Sequence, residues 1–131
     1  MMNLTQDVAS AIAEIRATFH MATVTVEEDG QGGAWVVVDP VPSGASYLQP
    51  TTWIGFQIGY LSPATDVYPL FVRPDLTRRD GAGLGESFST MVWGPRGEPA
   101  VQVSRRNNRH NPNIDTPVMK VLKVIEWIGS R

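Results

Sequence analysis

The chain has 131 residues, 42% of them hydrophobic and 18% charged, with a formal net charge of −2 and no cysteine. These values describe a globular chain with enough length for one sizeable core, and they exclude a disordered polyelectrolyte, a disulfide scaffold, a thiolate metal site and, in this sequence, thiol catalysis. The near-neutral balance also excludes a protein whose overall field draws in nucleic acid or anionic membrane, so any such affinity has to come from a local patch.

The N-terminus lacks the basic and apolar regions of a signal peptide, and no apolar run approaches the ~20 residues of a membrane helix. The expectation is a single soluble, cytoplasmic domain over residues 1–131, without membrane association.

In chain order, Leu4, Val8, Ile12, Ile15 and Phe19 recur at spacings of three and four, which predicts an amphipathic helix over residues 4–19. "ATVTVEED" alternates Ala22, Val24 and Val26 against Thr23 and Thr25, as a strand with one wet face does. Asp29-Gly30 and Gly32-Gly33 then mark a hairpin turn into "AWVVVDPV". In "TTWIGFQIGYL", Ile54, Phe56, Ile58 and Tyr60 share one face, and Trp53, Gly55, Gln57 and Gly59 share the other. That second face is rich in small residues, so another group is expected to pack close to its backbone.

"VYPLFV" reads as a short strand bracketed by prolines. Residues 75–97 are polar and glycine-rich, interrupted by "SFSTMVW", and "PAVQV" is a last extended piece. Asp115-Thr116-Pro117 supplies a helix start, and Val118, Val121, Leu122, Ile125 and Ile128 give the final helix an apolar face. Strands joined by short turns ahead of a closing helix predict α+β: an N-terminal helix, an antiparallel meander of about four strands, a loop region that frames a site, and a C-terminal helix.

The strand-exit sequence "WIGFQIGYLSPATDVYPLFVRP", with Tyr68-Pro69 and then Pro74, resembles the corresponding segment of ubiquitin-conjugating enzymes. Farther along, Gly97 precedes Ala100 by three, "AVQV" follows, and His110-Asn111-Pro112 stands where the family has Trp-x-Pro before a helix. The resemblance covers residues 4–128 in element order, with its specific motifs between 53 and 128. It is nearest to the divergent bacterial members found beside ubiquitin-like proteins, activating enzymes and deubiquitinase-like peptidases in antiphage operons. It implies the ubiquitin-conjugating (UBC-like) fold and a carrier that takes a ubiquitin-like protein from an adenylating activating enzyme as a thioester at position 100. The first helix would dock the activating enzyme.

Two departures qualify that implication. The family's His-Pro-Asn tripeptide is missing, and the position of its nucleophilic cysteine holds Ala100, which cannot form a thioester. Ala100 reads either as a Cys→Ala change that disables a carrier or as the mark of a naturally cysteine-less binding or scaffold module. By the same resemblance Asn108 is a candidate oxyanion donor. Of the histidines His20 and His110, the second is the better functional candidate because of its neighbours.

Arg105, Arg106 and Arg109 form the densest positive patch. A solvated turn is the bland reading; recognition of a carboxylate or an acidic partner surface is the functional one. Tyr68 and Pro69 are further partner-binding candidates. A further alternative is a small nucleic-acid-binding or hydrolytic domain using residues 105–110, although the arginines lack interleaved aromatics. "GAGLGE" at 81–86 imitates a nucleotide loop but lacks the flanking strand and helix, and no metal or cofactor constellation is visible. Trp53 and Trp93 read either as core or core-edge residues or as exposed anchors for another protein.

Overall fold

Thr5 is extended (φ −66°, ψ 158°) and its hydroxyl accepts from the Val8 amide, which starts α1 at Gln6–Thr18. Val8, Ala11, Ile12 and Ile15 are the buried face of that helix, as the periodicity requires. In this computed structural model, which describes residues 3–131, six strands follow: β1 (Thr23–Glu28), β2 (Ala34–Pro42), β3 (Thr51–Ile58), β4 (Leu70–Val72), β5 (Phe88–Trp93) and β6 (Glu98–Val103). The chain closes with α2 (Pro117–Gly129). The cap of α2 is Thr116, whose side chain accepts from Met119 N, with Pro117 at the first turn.

The strands form one six-stranded antiparallel sheet in the order β1-β2-β3-β4-β6-β5. Its register aligns a single apolar row across the sheet: Val26, Val36, Phe56, Leu70, Val103 and Phe88. This face packs with α1 and α2 into one continuous core that includes Val8, Ile15, Ile54, Val72, Val121 and Ile128. Tyr47 belongs to it as well; it is 1% exposed and donates to the Ile128 carbonyl at 3.1 Å, tying the loop after β2 to the end of α2.

The opposite face carries a second, aromatic cluster. The Trp93 ring lies 5.1 Å from Phe71, 5.4 Å edge-on to Trp35 and 6.4 Å from Trp53. It rests on Gly55, where an added Cβ would stand 2.8 Å from the indole. The small-residue face of β3 thus has the close-packed occupant that its sequence suggests. Arg96, in the turn between β5 and β6, reaches Glu27 on β1 at 3.0 Å. This ion pair links the turn beyond the edge strand β5 to the opposite edge strand β1.

The UBC-like plan of about four meandering strands with a framing loop region is not the architecture found. The described residues are mostly β, with six strands and two helices. The difference lies in residues 75–103. The polar, glycine-rich stretch 75–97, broken by "SFSTMVW", reads as a framing loop region ahead of the extended "PAVQV", yet 88–93 and 98–103 pair as a hairpin, and β6 joins the sheet through β4. β5 lacks an alternating pattern because its residues 89–92 are all exposed at a sheet edge. Tyr60 is also displaced from its expected core face: β3 ends at Ile58, and Tyr60 is 52% exposed. No helix among the described residues is long and apolar enough to cross a membrane.

Gly55→Ala forces a methyl group into the Trp93 ring. Overpacking of this kind costs about 1–3 kcal/mol, and urea unfolding followed by tryptophan fluorescence is expected to show a lower midpoint.

Candidate binding cleft

Lys120 lies in phase with the buried positions Pro117, Val124 and Ile128 of α2, so the helix carries its side chain inward, where it is 8% exposed. An ammonium group withdrawn from water needs a carboxylate. Asp66, from the 59–69 loop, supplies it at 2.6 Å, its own side chain 14% exposed. The same Asp66 oxygen accepts the backbone N–H of Asn107 at 3.0 Å. His110 adds another tie, with Nε2 2.7 Å from the Pro63 carbonyl and Nδ1 3.9 Å from Asp66 Oδ1. The His110 Nδ1 atom is buried without a hydrogen-bond partner.

Asp115 organises the other end of the 104–116 loop. Its carboxylate accepts from Asn111 N at 2.8 Å and from the Asn107 amide at 3.2 Å, with Lys123 Nζ at 3.5 Å. The Asn111 N–H, aided by Lys123 and Asn107, holds this carboxyl below its usual pKa against the opposing effect of burial.

These loops and α2 enclose a cleft of about 240 Å³ lined by Asp66, Arg105, Arg106, Asn107, Asp115, Lys120, Lys123, Val124 and Trp127. Its charge is uneven. The lining has four basic and two acidic side chains, and both carboxylates are already matched, Asp66 by Lys120 and Asp115 by amides and Lys123. Arg105 and Arg106 make no ion pair among the described residues. They are steadied by aromatic rings instead: Arg105 lies 4.5 Å over Trp127 and Arg106 4.2 Å over Tyr68. Trp127 is backed by Phe88, stacked at 5.3 Å, and also carries Arg131 at 4.7 Å. The Ser104 hydroxyl and then the Arg106 guanidinium lower the Tyr68 pKa.

The residues singled out from sequence thus fall into separate places. Arg105, Arg106 and Tyr68 gather at the cleft, and Pro69 adjoins Tyr68 at the entry to β4. His110 lies beneath the cleft as a brace of its loop. Asn108 and Arg109 are exposed and outside the lining. Ala100 is elsewhere: it sits in the middle of β6 opposite Met91 and is 0% exposed. Strand alternation turns it to the face opposite Val101 and Val103, so the structure does not bring Ala100, Asn108 and His110 together.

Sequence reasoning passed over Asp66, Asp115, Lys120, Lys123 and Trp127. Lys120 left no trace either, because the apolar face read from the sequence, through Val118, Val121, Leu122, Ile125 and Ile128, is not quite the one that packs: Val124 is buried and Leu122 is 38% exposed. The 81–86 glycine segment is bound by its flank, where Asp80 pairs with Arg78 and accepts from Ala82 N. His20 is exposed.

No protein-family model, curated protein or solved structure matches this chain.

Asp66→Ala strands the Lys120 ammonium and is expected to cost roughly 3 kcal/mol in denaturant unfolding; adding Lys120→Met should recover much of the loss. For Asp115, a folded-state pKa below the unfolded one gives stability that is present above the ordinary value of 3.8 and disappears as pH falls through the lowered value. Asp115→Asn should flatten that part of an acid-unfolding curve. A cysteine installed at Ala100 should react with a thiol reagent only after denaturation, whereas one at the exposed Ser10 should react at once. Equal native rates would show that position 100 opens to solvent.

Proposed function

We propose that this chain is a non-catalytic recognition module that binds an acidic, flexible segment of a partner protein in the cleft between the 104–116 loop and α2. One observation carries the reading: Arg105 and Arg106 converge on a walled cleft without carboxylate partners, while its own acids are internally matched. The planar guanidinium fork binds carboxylates in bidentate fashion, and its cation–π seat limits the side-chain freedom lost on binding.

Among the partners that the family resemblance implies, a ubiquitin-like protein presenting its C-terminal carboxylate suits this chemistry. Burial of Ala100 in a paired strand favours the binding-module reading over thioester transfer. Nucleic acid is less well suited, because arginines already cover Trp127 and Tyr68 and leave their faces less open for base stacking.

A fluorescein-labelled hexaglutamate peptide provides a direct test by anisotropy. Binding should weaken with salt, and Arg105→Ala or Arg106→Ala should each reduce affinity about tenfold, since a hydrogen bond to a charged group contributes roughly 1.5 kcal/mol or more. Unchanged affinity in the double variant, or tighter binding of a single-stranded oligonucleotide than of the peptide, would reject the proposal.

A further inference from the structure

β5 is an edge strand, and its hydrogen-bonding phase can be read directly. Ser104 N donates to Ser87 O at 2.7 Å, just beyond the β5–β6 ladder. The ladder pairs Ser89 with Gln102, Met91 with Ala100 and Trp93 with Glu98. In an antiparallel pair the bonded positions alternate, so Ser89, Met91 and Trp93 bond inward to β6. The backbone groups of Thr90 and Val92 therefore point away from the sheet. Neither residue makes a backbone hydrogen bond outside the strand ladder among the described residues.

Natural edge strands are commonly guarded against further pairing by charges, prolines or a covering element. Residues 87–93, "SFSTMVW", include no charge and no proline. Met91 is 46% exposed and Val92 61%. The sheet stops here with an unguarded, partly apolar edge.

We infer that β5 is a self-association edge, at which a second copy of this chain adds its own β5 in antiparallel register about a twofold axis through Met91. In this register both backbone groups of Thr90 in each copy meet those of Val92 in the other, so every outward group of the two residues is used. Met91 lies opposite Met91 of the second copy, an apolar contact across the axis. Neighbouring in-phase registers are poorer. A centre on Val92 calls on Gly94, whose carbonyl already accepts from Gly97 N at 3.2 Å in the turn, and a centre on Thr90 calls on the Phe88 amide, which already donates to Gly85 O at 3.3 Å.

The absence of cysteine makes the register testable in the full chain. Directly opposed residues in a non-hydrogen-bonded antiparallel pair have Cα atoms about 4.5 Å apart, which is within disulfide range. Under mild copper-phenanthroline oxidation, Met91→Cys should form a disulfide-linked dimer much faster than Ser10→Cys, an exposed helical control. Adding Val92→Lys, which places a charge on the edge without touching the core, should abolish the difference. Native circular dichroism of each variant checks that the fold is retained. Sedimentation velocity of the unmodified chain should show a concentration-dependent dimer. The inference fails if Met91→Cys cross-links no faster than the control, if Val92→Lys leaves the rate unchanged, or if the unmodified chain remains monomeric at millimolar concentration.

Discussion

The ammonium group of Lys120 is the constraint around which the cleft is built. A cation held at 8% exposure in α2 destabilises the fold unless a carboxylate meets it. Asp66 does so from a loop far away in sequence, and in the same stroke takes the Asn107 N–H. One carboxylate thereby fixes the 59–69 loop, the 104–116 loop and α2 relative to each other. His110 and Asp115 then brace the second loop from below and from its far end.

The positive character of the cleft is a consequence of that arrangement. With Asp66 and Asp115 committed to internal partners, Arg105 and Arg106 make no ion pair among the described residues, while their faces lie on Trp127 and Tyr68. A chain with a net charge of −2 thus presents a local basic site. The segment "RRNNRHN" combines two kinds of residue: its first arginines line the cleft, and its asparagines and histidine largely hold the loop in shape. Ala100 belongs to neither group, being enclosed in β6 on the other side of the sheet.

Much of the local structure was legible in the sequence. Periodicity marked both helices, alternation marked β1 and β3, β-branched residues marked β2, a short apolar run marked β4, and "SFSTMVW" and "PAVQV" stood out as extended pieces. The pairing order was not legible, because β5 and β6 carry no local sign that the later strand inserts next to β4. Trp93 illustrates the same limit: it is 5% exposed at the end of a strand whose preceding residues are exposed, since its burial comes from Gly55 and aromatic groups on three other strands. The glycine announced a close approach without naming the occupant. Likewise, nothing in the sequence marked Lys120 as an inward-facing cation or Asp66 as its partner. The arginines suggested an acidic ligand, whereas the walls of their cleft come from residues distant in sequence.

The central claim, that the cleft beside α2 is where an acidic segment binds, is tested most directly by titrating hexaglutamate into the ¹⁵N-labelled protein and following its amide and indole signals. The account predicts saturable shifts concentrated at Arg105, Arg106, Asn107, Lys120, Lys123 and the Trp127 indole. Saturable shifts centred on another surface, or none in this cleft at concentrations that shift a control basic protein, would contradict it.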